Sequence, residues 1–155
     1  MGTHLTKLDS KGRVFIPASF RAVLRAGRPD GEAAPIVMLP SHKQPCVQVW
    51  PACAFLRLGA AMDQLDTFSE EQDDLAFSLF ADACEITPDK DGRIVLPDMV
   101  AEHAGVTDQL AFVGLRDRFE IWTPDAAARR RAEAHERARS RGLTLPGSSA
   151  SGVAA

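Results

Sequence analysis

Two short stretches, "RVFIP" from Arg13 and "RIVLP" from Arg93, each open on an arginine, continue in three apolar residues and end on proline. A period of two marks a half-buried strand: Val14 and Ile16 turn to one face, Arg13 and Phe15 to the other. Residues Arg93 to Leu96 repeat the arrangement, and Pro17 and Pro97 end each run because proline has no N–H to give to a ladder. A helical pattern follows each strand. In "ASFRAVLRAG" Phe20, Val23 and Leu24 share one face, with Gly27 as the C′ residue; in "DMVAEHAG" Val100 and Ala104 share a face and Gly105 closes the helix. Strand-like runs come next, "PIVMLP" and "CVQVW" in the first half, "LAFVGL" and "FEIW" in the second. Trp50-Pro51 and Trp122-Thr123-Pro124 close the two halves, each opening a further helical stretch.

The order of elements therefore occurs twice, and its clearest echo is a nine-residue phrase. "DSKGRVFIP" spans Asp9 to Pro17 and "DKDGRIVLP" spans Asp89 to Pro97. A repeat of this kind predicts two related modules, at residues 4–54 and 83–126. Residues 55–82 connect them, and there Ser69 to Gln72 reads as a capping box ahead of Leu75, Leu79 and Ala83 on one helical face. The first half carries an extra loop, "RPDGEAAP", that the second lacks. Beyond the second module, Thr123 as N-cap and Pro124 at N1 begin an Ala/Arg-rich helix that can continue to Arg141 before Gly142, and residues 127–142 form the C-terminal Arg-rich segment. Residues 143–155, with "LPGSSASGVAA", hold too little apolar bulk to pack and are expected to be disordered. The expected fold class is mainly β with short helices, α+β.

A chain of 155 residues suffices for one ordinary domain or two small modules sharing a core, and its 45% apolar content favours folding. No apolar run reaches the roughly 18 to 20 residues that span a bilayer, and the N-terminus lacks the apolar segment of a secretory signal. A soluble, cytoplasmic protein with no membrane partner is expected. Cys46, Cys53 and Cys84 are odd in number and form no C-x-x-C pair, which argues against a disulfide framework or a zinc site. They read as reduced and structural, with a catalytic thiol the lesser alternative.

The net charge of −3 hides a segregation along the chain. Residues 1–28 carry six basic groups (Lys7, Lys11, Arg13, Arg21, Arg25, Arg28) against Asp9 alone. Residues 63–91 carry ten acids against Lys90, and residues 129–141 carry six arginines against Glu133 and Glu136. Local fields, not the total, decide what such a surface attracts. The acids of the connecting segment read as a solvated face, with an interaction surface as the lesser reading.

Within each nonapeptide, Gly12 and Gly92 sit where the chain turns into a strand and positive φ is favoured. Asp9 and Asp89 can accept backbone N–H bonds across that turn and can also hold the arginine four residues on. Each copy thus presents one arginine on a rigid turn. The guanidinium is a planar fork of donors suited to phosphates and guanine edges. For a single copy, an Asp–Arg pair that only fixes the turn is the simpler account; the repetition shifts the weight toward nucleic acid. His4, His42, His103 and His135 are scattered and join no nucleophile, metal spacing or phosphate loop, so neither an enzyme nor a cofactor or metal is expected.

The paired D-x-x-G-R-[VI]-x-[IL]-P phrases, "FR" at Phe20-Arg21 and "FEIW" at Phe119 to Trp122 resemble the MraZ family of bacterial transcriptional regulators, over about residues 4–140. The resemblance implies two tandem SpoVT/AbrB-type modules completing one another as a pseudo-two-fold swapped-hairpin β-barrel. It further implies ring-like homo-oligomers that bind direct repeats of double-stranded DNA in the promoter of the division and cell-wall gene cluster, in the nucleoid. The family's D-x-x-x-R signature falls on Asp9 and Arg13, and again on Asp89 and Arg93. As DNA-binding candidates the first module offers Arg13 and Lys11, the second Arg93 and Lys90. Lys7, Arg21 and Arg25 rank below them, the last two because they can equally be the solvated side of a short helix. Gly12 and Gly92, with the two aspartates, support the motif.

The copies differ: Lys11 corresponds to Asp91, Arg21 to Ala101, and Ser10 to Lys90. Arg129-Arg130-Arg131 could track DNA, yet the interleaved glutamates favour a solvated helix. Trp50 and Trp122 read as core anchors. The alternative function is an antitoxin-like protein of the same superfamily that binds and blocks a partner protein.

Overall fold

The computed structural model describes residues 1–25 and 34–147. Gly27, Arg28, nearly all of the extra loop of the first half, and residues 148–155 lie outside them. Two compact units divide the chain, Met1–Pro124 and Asp125–Ala155.

In the first unit the repeated order is visible element by element. The first repeat runs β1 (Thr3–Lys7), β2 (Arg13–Phe15), α1 (Ala18–Leu24), β3 (Ile36–Pro40), β4 (Val47–Pro51) and α2 (Ala52–Met62). Helix α3 (Glu70–Ala76) then continues into a π-helical turn, Phe77–Ala81. The second repeat runs β5 (Cys84–Ile86), β6 (Arg93–Val95), α4 (Asp98–Ala104), β7 (Gln109–Gly114) and β8 (Phe119–Trp122); α5 (Pro124–Ser140) follows, all but its first residue in the second unit. The chain is thus mixed α/β, not mainly β: α2 has 11 residues and α5 has 17.

Strand pairing crosses between the repeats. One antiparallel sheet has the order β1-β7-β8-β4-β3-β5, so the leading strand of each repeat pairs with the hairpin of the other. Strands β2 and β6 pair only with each other, as a separate two-stranded ribbon. The expected barrel is not closed. Turns at Asp9–Gly12 and Asp89–Gly92 precede the ribbon strands, and Pro17 and Pro97 follow them, so each is three residues long and too short to bridge the edges β1 and β5.

One apolar core holds both repeats together. Val14, Ile16, Phe20, Leu24, Ile36, Met38, Val47 and Val49 come from the first; Ile94, Leu96, Val100, Leu110, Phe112, Phe119 and Ile121 come from the second. Alternation puts Val14 and Ile94 inside while leaving Phe15 and Val95 exposed. On the other sheet face Val37, Leu39 and Trp50 pack under Ala54, with Phe55, Leu58, Leu79 and Ala83 around them.

Three helix ends show their sequence signals in part or in full. The carbonyl of Pro17 accepts the N–H groups of Phe20 and Arg21, starting α1. Gly105 takes φ 69°, and Val106 donates to the Ala101 carbonyl at 3.0 Å, closing α4 with a Schellman motif. Ser69 accepts the N–H of Gln72 at 3.1 Å, whereas the Gln72 side chain accepts from Phe68, one residue before the N-cap. Glu70, Glu71 and Asp73 occupy the first turn of α3, where the helix dipole favours acids. In the second unit, Arg139 and Glu136 pair at 3.0 Å on the solvated surface of α5, and Gly142 closes that helix at φ 59°. No helix among the described residues is long and apolar enough to cross a membrane.

Candidate nucleic-acid interface

Each nonapeptide forms the same turn. The N–H of Gly12 donates to the Asp9 carbonyl at 3.1 Å, and that of Gly92 to Asp89 at 3.0 Å, with φ of 73° and 80° at the glycines. A side chain at either position would be strained, because only glycine takes that backbone region freely. Asp9 Oδ1 accepts the backbone N–H of Lys11 and Arg13 at 2.8 and 2.9 Å, while Oδ2 accepts Nε–H of Arg13 at 2.7 Å. Asp89 does the same for Asp91 and Arg93, at 2.9 and 2.9 Å, and holds Arg93 Nε at 3.0 Å. The backbone N–H of the arginine, more than its charge, holds each carboxyl below the usual carboxylate range.

The two turns are locked to one another. Ile16 donates its N–H to the Gly92 carbonyl at 3.0 Å, and Leu96 to the Gly12 carbonyl at 3.1 Å. Between them the ribbon pairs Arg13 with Val95, Val14 with Ile94 and Phe15 with Arg93. Its outer face is therefore built from Arg13, Phe15, Arg93 and Val95. The Arg93 guanidinium lies over the Phe15 ring, 5.6 Å from its centroid.

The remaining sequence candidates fall into two groups. Lys11 is exposed beside Arg13 on the first turn, and Lys90 is exposed on the second. A groove brings Lys90 together with Arg21 and Arg25, beside Asp89 and Gly92. Arg21, from the first repeat, reaches the second turn and donates through Nη1 to the Asp91 carbonyl at 3.3 Å. Lys7 lies apart, exposed at the end of the edge strand β1 and paired in register with Gln109.

Two other reactive side chains, Cys46 and His103, are taken up in the fold. Burial pushes the Cys46 thiol up to about 12, so it stays protonated. His103 is bound through Nε2 to the carbonyls of Ser41 and Gln44, at 3.0 and 3.3 Å. Among the described residues no group of three or more His, Cys, Asp or Glu side chains is placed to hold a metal.

The family model described as "MraZ protein, putative antitoxin-like" matches residues 1–77 and 79–140. The chain belongs to the MraZ family. A protein named "Transcriptional regulator MraZ" from Gluconacetobacter diazotrophicus is 53% identical over 146 residues, covering 94% of this chain and 90% of its own. Namesakes from Gluconobacter oxydans and Parvibaculum lavamentivorans are 49% and 40% identical, covering 90% and 88% of this chain and 84% and 83% of their own. These MraZ relatives carry the name of a regulator, not of an enzyme.

The arginines of this MraZ chain are legible from the sequence at the ends of glycine turns, whereas two features are not. One is the apposition of the two motifs in a single ribbon, which puts Phe15 and Val95 beside the arginines. The other is Arg21 reaching across to the opposite turn. The repeat itself held the signal for the first, since a pseudo-two-fold axis pairs like with like; nothing local in the sequence announces the second.

Proposed function

We propose that the protein is a DNA-binding transcriptional regulator that docks the β2–β6 ribbon and its flanking turns on duplex DNA. The observation that carries this reading is the ribbon's outer face, where Arg13 and Arg93 open their strands directly after turns fixed by Asp9 and Asp89. Lys11 and Lys90, with Arg21 and Arg25 in the groove, extend the positive surface. The crossed pairing of β1 with β7 and of β3 with β5 supports reading the repeats as swapped-hairpin modules of the AbrB type. One protomer offers few phosphate contacts, so affinity comes from a homo-oligomer placing several ribbons on spaced direct repeats. Its sites are in the promoter of the division and cell-wall gene cluster, and it works in the cytoplasm, on the nucleoid.

Binding to the DNA upstream of its own gene, at several salt concentrations, tests this. Arg13→Ala is expected to weaken binding and to flatten the log–log salt dependence by roughly 0.9 per lost phosphate contact. Affinity and slope unchanged in both Arg13→Ala and Arg93→Ala would sink the assignment.

The antitoxin-like wording of the family description favours a second reading, in which the protein binds and blocks a partner protein. Copurification with a toxic enzyme, lost on deleting residues 125–155, would support that reading over DNA binding.

A further inference from the structure

We infer that Asp91 is a masking residue, which withholds Arg93 from DNA and makes the Arg13 turn the principal anchor of the pair. This rests on the DNA-binding reading above and adds a division of labour between the two turns. Positions 11 and 91 are geometrically equivalent: each donates its backbone N–H to the Oδ1 of the turn's aspartate, at 2.8 and 2.9 Å. Their side chains are opposite in charge, so the same position of the turn carries a cationic residue in one copy and a carboxylate in the other.

The consequence is visible at the guanidinium. Arg93 is held at Nε by Asp89 and at Nη2 by Asp91, at 3.0 and 3.4 Å, and its face lies on Phe15. Arg13 is held at Nε alone, by Asp9 at 2.7 Å, and its terminal nitrogens meet no partner among the described residues. A phosphate approaching Arg93 must displace Asp91; at Arg13 the only carboxylate paired among the described residues is that of Asp9, at Nε. Arg21 strengthens the difference, because its Nη1 bond to the Asp91 carbonyl fixes the backbone from which the carboxylate projects. The first turn has no such prop, since Ala101 stands where Arg21 does and the space around Gly12 is open.

A double-mutant cycle in the full chain tests the mask separately from simple charge. The probe is a duplex from upstream of the protein's own gene, titrated with wild type, Asp91→Asn, Arg93→Ala and the double variant. An exposed ion pair is worth little, so Asp91→Asn is expected to tighten binding by about two- to five-fold. That gain should disappear in the Arg93→Ala background, and Lys11→Asp should weaken binding in an Arg13-dependent way. Equal gains with and without Arg93 would overturn the mask and leave Asp91 as bulk charge; no gain at all would overturn it too. Failure of the wild type to bind the duplex would instead overturn the DNA-binding reading, and the mask with it.

Discussion

Phe20→Ala tests whether the two repeats share one core. Phe20 is fully buried on α1 of the first repeat, but its neighbours belong largely to the second. Its ring stacks on Phe119 with centroids 5.2 Å apart and meets Phe112 edge-on at 6.0 Å, with His4 edge-on at 5.2 Å. Truncating a buried phenylalanine costs about 3–5 kcal/mol, and the lost aromatic pairs place this one in the upper part of that range. For a unit of this size that corresponds to a fall in midpoint of roughly 10–20 °C. The chain has only two tryptophans, Trp50 in the first repeat and Trp122 in the second. Unfolding followed by fluorescence in Trp50→Phe and Trp122→Phe proteins therefore reads each repeat by itself, at fixed protein concentration because association shifts the midpoint. Both probes should fall together in Phe20→Ala. If Trp50 reported the loss while Trp122 kept its wild-type midpoint, the repeats would hold separate cores and the reasoning would fail.

Gly92→Ala and Gly12→Ala should both destabilise, each by about 1–2 kcal/mol for a side chain in the left-handed region. Only Gly92→Ala also displaces Arg21, whose Nη1 would stand 2.5 Å from the new Cβ, whereas Gly12 has open space. Urea denaturation should therefore show Gly92→Ala as the costlier change, with the difference removed by Arg21→Ala; equal costs would contradict the contact. Asp9 and Asp89 have carboxyls held below the ordinary range, so their contribution is fully present above the unfolded value near about 3.9 and is lost as pH falls through the lower folded value. The stability advantage of wild type over Asp9→Asn and Asp89→Asn should then shrink below about pH 4. An advantage unchanged down to pH 2 would show that ionisation of these carboxylates does not contribute.

The sequence by itself determined the local chemistry of this protein. Position parity set which residues of β2 and β6 share a face with the arginine, because successive side chains in a strand point to opposite sides. Glycine, aspartate and proline fixed both turns and where α1 and α4 begin, through φ and hydrogen-bonding limits that act within a few residues. The repeat announced two like units and put Arg13 and Arg93 in equivalent places. Tertiary structure decided how those units combine, because pairing of β1 with β7, β2 with β6 and β3 with β5 joins residues about a hundred, eighty and fifty positions apart. No local preference encodes such partners; they are chosen by which arrangement buries the apolar faces of both repeats at once. That choice left the sheet open where a barrel was expected, set Phe15 under Arg93, and sent Arg21 to the turn of the opposite repeat. Charge differences at positions 11 and 91 were legible from the sequence, but their meaning came only when geometry gave both residues the same place in the turn and set the Asp91 carboxylate on Arg93.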